Sequence, residues 1–201
     1  MNKILLIVIL LAVLLYFLSR RIMMRSKTST GVQRSNKQGY YLIDLPAQVA
    51  GKAIKSTMYS AGIGAVLLVI TVLLAIKIKI LFFLLPISFY LIGQLFLLNN
   101  HMKYAKNQRI WYNPQSKDVW VEWLSGNQVH FKLDSDLKSL KAVKAVQKNQ
   151  GMLYGYYELG LAEGAIFIPF LMEESQLNQR FFQDLKLQAN ASSKSSLFPM
   201  I

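Results

Sequence analysis

Apolar positions crowd into one stretch, Ser56 to Leu98, whose only charges are Lys77 and Lys79 near its middle. A single straight helix of that length would run roughly 64 Å, about twice the apolar thickness of a bilayer. The stretch must therefore turn, and Ser56 to Ile76 and Ile80 to Leu98 are each long enough for one crossing. This predicts a transmembrane helical hairpin over 56–98 with the two lysines at its bend. A further apolar segment, Ile4 to Leu18, is bounded by Lys3 and by Arg20, Arg21, Arg25 and Lys27. One lysine is a weak leading charge for a signal peptide, and no small-x-small cleavage site precedes the arginines. The segment reads as an uncleaved first transmembrane helix over 1–19, its shortness fitting a thinner local bilayer or arginine stems that reach back to the interface.

Between these apolar blocks, residues 20–55 form a basic loop interrupted by Tyr40-Tyr41-Leu42-Ile43. At its end, residues 47–58 place Val49, Ala53 and Ile54 on one helical face and Lys52 and Lys55 nearer another, the pattern of a short helix lying at a membrane surface. After Asn107 the period changes. Arg109 to Asn113, Val119 to Leu124, Gln128 to Leu133, Met152 to Leu161 and Ala165 to Leu171 are strand-like runs separated by turn signals such as Asn113-Pro114 and Ser125-Gly126-Asn127. Glu173 to Gln188 repeats Leu177, Phe181 and Leu185 at helical spacing, with Glu173 and Glu174 at the amino end where a helix dipole favours them. Residues 136–147 are ambiguous. Leu137, Leu140 and Val143 recur every third position beside a basic stripe of Lys138, Lys141, Lys144 and Lys148, which by spacing favours a helix.

The order of these elements over 107–188 resembles that of bacterial pleckstrin-homology-like (PH-like) domains attached to a two-helix membrane anchor. The resemblance rests on the first hairpin, on Lys132-Leu133-Asp134-Ser135-Asp136-Leu137-Lys138-Ser139-Leu140, on Tyr157-Glu158-Leu159-Gly160-Leu161, and on Gly164-Ala165-Ile166-Phe167-Ile168-Pro169 before a final helix. It implies a small α+β domain, an antiparallel barrel or sheet closed by a carboxy-terminal helix, with Leu140 to Gln147 mainly a strand. These are patterns of hydrophobicity and turns, and they transfer no binding residues. Residues 189–201, Ser-rich with a late Leu-Phe-Pro-Met-Ile, read as a flexible tail.

Charge then orients the chain. The net charge of +13 is concentrated beside the apolar segments: up to residue 100 the sole acid is Asp44, whereas nine acids follow it. That distribution fits the accumulation of Lys and Arg on cytoplasmic flanks better than a nucleic-acid surface. With three crossings, Lys3, Lys77 and Lys79 face one side. Arg20, Arg21, Arg25, Lys27, Arg34, Lys37, Lys52, Lys55, Lys103, Lys106 and Arg109 face the other. The amino terminus is expected outside the cytoplasmic membrane and the carboxy-terminal domain inside.

Candidate chemistry is sparse. The chain has no cysteine, hence no disulfide and no thiolate site. His101 and His130 lack companions at metal-ligand spacing, Ser135-x-x-Lys138 lacks the other motifs of acyl-enzyme hydrolases, and adjacent Glu173 and Glu174 point different ways on a helix. No catalytic residue, cofactor or metal is expected. Binding is the better expectation. Arg20, Arg21, Arg25, Lys52, Lys55, Lys138, Lys141 and Lys144 are candidates for anionic lipid head groups or a partner, and Thr57, Ala61, Gly64, Ala65 and Gln94 for helix packing. Most of Trp111, Trp120, Trp123, Tyr154, Tyr156, Tyr157, Phe167 and Phe170 are expected in the core, any exposed remainder offering a contact surface. The function expected is a non-enzymatic inner-membrane protein presenting a binding or scaffold domain to the bilayer, a protein partner or a second copy. The alternative is a membrane immunity protein or an accessory subunit of a transporter or secretion system, acting through its transmembrane helices.

Overall fold

A computed structural model describes residues 39–75, 77–149, 151–188 and 192–201. The first apolar segment, with Arg20, Arg21 and Arg25, lies outside the described residues. The described chain forms two compact units, one comprising Gly51–Asn99 and the other residues 39–50 with Asn100–Ile201.

Two helices here are long and apolar enough to cross a membrane. Helix α1 spans Ala47–Ala75 and α2 spans Leu85–Asn107. The first begins directly after Pro46, whose carbonyl accepts the Ala50 amide at 3.0 Å, so the ring that cannot continue a preceding helix serves to start one. Residues 47–58 are thus the opening turns of α1 and not a separate interfacial helix, because no breaker follows Pro46 to end them. The break falls at the two lysines. The amides of Lys77 and Ile78 both turn back to the Leu74 carbonyl, and a tight 3-10 turn over Lys79–Leu84 leads into α2.

Between the helices the small residues are used at close range. A Cβ added to Gly64 would lie 2.7 Å from Leu91 Cβ and 3.0 Å from the Ser88 carbonyl, so α1 and α2 approach there at a distance only glycine permits. Thr57, Ala61, Gly64, Leu68, Thr71 and Ala75 are all buried at alternating spacings of four and three, the period of a packed helical seam. The outer faces are apolar and exposed: Tyr59 at 62%, Val66 and Ile70 on α1, Phe83 at 80%, Ile87 and Phe89 before and along α2.

The second unit holds two four-stranded sheets. Strands β1 (Tyr41–Ile43), β2 (Gln108–Asn113), β3 (Asp118–Trp123) and β4 (Gln128–Lys132) pair antiparallel in that order. Strands β5 (Ser139–Ala145), β6 (Gly155–Leu161), β7 (Gly164–Pro169) and β8 (Ser192–Ser196) form the second sheet, in the order β7-β6-β5-β8. Residues 139–145 are a strand despite their three-residue period, because Leu140 and Ala142 fall opposite Leu159 and Tyr157 and close the core from one side.

Three expectations are corrected. The sheets do not close into a barrel: β5 pairs with β6 on one edge and with β8 on the other, which leaves it no edge for β4. The expected flexible tail supplies that eighth strand, parallel to β5, through backbone bonds that its serines do not announce. The last helix, α3, spans only Gln179–Gln188 and is preceded by short turns over Phe170–Met172 and Gln176–Asn178. Glu173 and Glu174 therefore do not cap it. Leu177 lies 66% exposed, while Phe182 joins Phe181 and Leu185 in the core.

Candidate functional site

Two phenol–carboxylate hydrogen bonds, one from each sheet, tie down α3 and the turn before it: the first reaches α3 directly and the second reaches Glu173, ahead of the helix. Tyr112 of β2 donates to Asp184 Oδ2 at 2.6 Å, and Tyr157 of β6 donates to Glu173 Oε2 at 2.7 Å. The other oxygen of Glu173 accepts the Lys186 ammonium, which also stands 5.8 Å from the centre of the Tyr157 ring. Phe170 packs on that ring at 4.6 Å. Burial, followed by the neighbouring carboxylate, holds the Tyr157 phenol well above its ordinary pKa. A cleft of about 420 Å³ opens beside these groups, with Lys148 and Glu174 at its wall. Its phenol is fixed as a donor and both oxygens of Glu173 are occupied, so the arrangement cross-links the helix to the sheet.

The first sheet carries a different feature on its outward face. Leu42, Trp111, Trp120 and His130 are successive cross-strand partners, so one row of large side chains runs across all four strands. Polar rows border it, with Asn113, Asp118 and Lys132 on one side and Arg109, Glu122 and Gln128 on the other. Trp111 donates Nε1–H to Glu122 Oε2 at 3.2 Å, and the Trp120 and His130 rings meet edge to face at 6.1 Å. Tyr40, Trp120, Gln128 and His130 line a hollow of about 320 Å³. Of the aromatics named from sequence, Trp111, Tyr154, Tyr157 and Phe170 are buried, whereas Trp120, Trp123, Tyr156 and Phe167 are half-buried.

The remaining sequence candidates scatter. Lys52 and Lys55 are exposed on the first turns of α1. Lys138 is exposed ahead of β5, and Lys141 contacts Glu158 at 3.2 Å. The strand sends Lys141 and Lys144 to opposite faces, so the basic stripe that a helix would have made does not form. Thr57, Ala61 and Gly64 are buried, Ala65 is half-buried, and Gln94 is buried with no hydrogen bond to its Nε2 among the described residues. Ser135 donates to Asp136, whose carboxylate also accepts the Lys132 amide. That bonding, the amide foremost, holds the Asp136 pKa below its usual value and makes the segment a turn.

Sequence reading missed two buried side chains that tie distant segments together. Asn178 donates to the carbonyls of Asp44 and Met172, each at 2.7 Å, and His101 bonds the Pro199 carbonyl at 2.8 Å. Neither carries a local signal, since each partner is a backbone carbonyl whose position depends on the fold. Among the described residues, no group of three or more His, Asp or Glu could hold a metal ion. In comparisons with family models, curated proteins and solved structures the chain matches none, so its reading rests on these residues and their chemistry.

Proposed function

We propose that this is a non-enzymatic protein of the cytoplasmic membrane of a bacterium-like cell, in which α1 and α2 anchor a cytoplasmic PH-like domain that binds a membrane partner protein. Support for the anchor comes from the exposed apolar faces of both helices and from the position at the bend of Lys77 and Lys79, the only charges between Ser56 and Leu98. The orientation follows from the excess of basic residues on the side opposite Lys77 and Lys79. Two antiparallel meanders followed by a closing helix support the PH-like reading of the domain.

The observation that carries the binding role is the aromatic row with its hollow at Tyr40, Trp120, Gln128 and His130, a place of the right size and polarity for an apolar side chain of another protein. The alternative role for the helices is weakened at Gly64, because the small-residue face that a foreign helix would use is already met by α2. A photo-crosslinking residue placed at Gln128 in cells should trap a discrete adduct, which Trp120→Ala abolishes and the same probe at Gln115 does not give. Adducts that are absent, or equal from both positions, overturn the binding role.

A further inference from the structure

The last residues of the sequence are held by an unusual clasp. Asn100 engages the Ile201 backbone reciprocally: its Nδ2 donates to the carbonyl at 3.0 Å, and its Oδ1 accepts the amide at 2.8 Å. The neighbouring His101, fully buried, contacts the Pro199 carbonyl through Nε2 at 2.8 Å. A ring nitrogen facing a carbonyl must carry the proton. This leaves Nδ1 as the acceptor, consistent with its having no partner among the described residues. Upstream, β8 contributes only backbone: Ser192, Ser193, Lys194 and Ser195 are exposed, and Ser196 gives its carbonyl to the Val146 amide at 3.2 Å. Strand pairing sets the tail's course, and two side chains of α2 fix its end.

Asn100 follows Leu98, the last residue of the apolar stretch, by two positions, about 3 Å along a helix axis. The clasp thus holds the tail at the foot of the second apolar helix. Although Pro199 is buried in this clasp, Leu197 stays 59% exposed and Met200 50% exposed. Lys194, three residues before Leu197, and Lys103, three residues after Asn100 on α2, are exposed cations of these same segments. Apolar side chains held at the end of a spanning helix, on segments that also carry lysines, suit the head-group boundary of a bilayer with anionic lipid.

We propose that Leu197–Ile201 is an interfacial lipid anchor, with Leu197 and Met200 entering the bilayer surface and Asn100 and His101 pinning the segment in place. This rests on the membrane reading of α1 and α2. Because the chain has no cysteine, single cysteines can carry an environment-sensitive fluorophore in the full chain, reconstituted in phosphatidylcholine–phosphatidylglycerol vesicles. Labels at Leu197→Cys and Met200→Cys should be blue-shifted relative to Lys194→Cys and quenched mainly by lipids bearing a shallow quencher. A label at Ile70→Cys should respond to a deep one. Adding Asn100→Ala should remove the shift at Leu197→Cys while the unfolding midpoint of the domain is retained.

Deep quenching at Ile70→Cys with tail labels that behave like Lys194→Cys overturns the tail anchor and leaves the membrane reading intact. No quenching at Ile70→Cys overturns both. A blue shift that survives Asn100→Ala overturns the pinning. Cross-linking of Leu197→Cys between two copies without lipid quenching assigns the patch to self-association and overturns the lipid partner.

Discussion

In the hairpin, Thr57, Thr71, Ser88 and Gln94 are buried while Tyr59, Val66, Phe83 and Phe89 are exposed; in the sheet domain, Val119, Val121, Phe131 and Leu133 are buried while Gln115, Gln128 and Lys132 are exposed. The hairpin turns large apolar side chains outward and buries polar ones beside Leu68, Leu95, Leu97 and Leu98, whereas the domain gathers most of its large apolar side chains inside. Water drives apolar groups inward, so the domain has an apolar core and a charged skin. A hydrocarbon solvent removes that drive and leaves close packing and hydrogen bonding to hold helices together, which places small and polar residues inside. Ser88 illustrates the second case: its hydroxyl donates to the Leu84 carbonyl at 3.1 Å and needs no water. On the proposed membrane reading, one chain is built for two solvents.

The largest expected effect tests that inversion with one residue type. Phe181 is fully buried where α3 meets the sheets, with Tyr112 and Phe182 edge to face at 5.2 and 5.1 Å, whereas Phe83 is 80% exposed. Removing a buried phenylalanine ring costs about 3–5 kcal/mol, and exposed substitutions stay within about 0.5 kcal/mol. Phe181→Ala should therefore lower the unfolding midpoint of the detergent-solubilised protein sharply, by circular dichroism, and Phe83→Ala should leave it in place. Equal losses would mean that the Phe83 ring packs against protein, which breaks the comparison.

The buried polar groups separate the regions next, through pH. Tyr41 is pushed up to about 12, chiefly by burial, and Tyr112 and Tyr157 are raised above the ordinary value of 10.0 by burial and a bonded carboxylate. A tyrosine whose folded pKa exceeds its unfolded one stabilises the fold fully below the unfolded value. It loses that contribution as pH climbs through the folded one. The domain should thus weaken above pH 10.0, with Tyr41 giving way toward about 12. Tyr157→Phe loses a hydrogen bond to a charged acceptor, about 1.5–3 kcal/mol near neutrality. Its stability should then fall less steeply with alkali. Urea unfolding midpoints across that range check both signs, and an unchanged alkaline slope would remove the Tyr157–Glu173 bond as a determinant.

How much of this was legible in the sequence follows the same division. Long apolar runs and the lone pair of lysines mark the hairpin bend because charge is costly in an apolar layer, and that signal is carried by composition. The strands and turns of the domain were legible where Asn113 and Gly126 impose their geometry. What escaped depends on distant partners. Residues 139–145 have a helical period but lie between β6 and β8, and Ser192–Ser196 gains its place through backbone bonds alone. Glu173 looked like a helix cap, yet it is the acceptor for Tyr157 and Lys186. The aromatic row required a register that no local pattern specifies, since Leu42 and Trp111 are far apart in sequence.

The smallest effect is the sharpest test of the hairpin itself, because it compares two glycines one turn apart or less on the same helix. A Cβ at Gly62 meets nothing within 4 Å, whereas at Gly64 it falls 2.7 Å from Leu91 Cβ and 3.2 Å from the Ile92 amide nitrogen. Alanine gains about 0.8–1.0 kcal/mol of helix propensity over glycine at either position. At Gly64 this gain is opposed by an overpacking cost of about 1–3 kcal/mol, since backbone atoms of α2 cannot swing aside as a side-chain tip would. Gly62→Ala should hold or raise the resistance of the hairpin to unfolding in a dodecyl sulfate titration, and Gly64→Ala should lower it. If both alanines behave alike, α1 and α2 do not depend on close contact at Gly64, and small residues in the hairpin lose the role that apolar ones have in the domain.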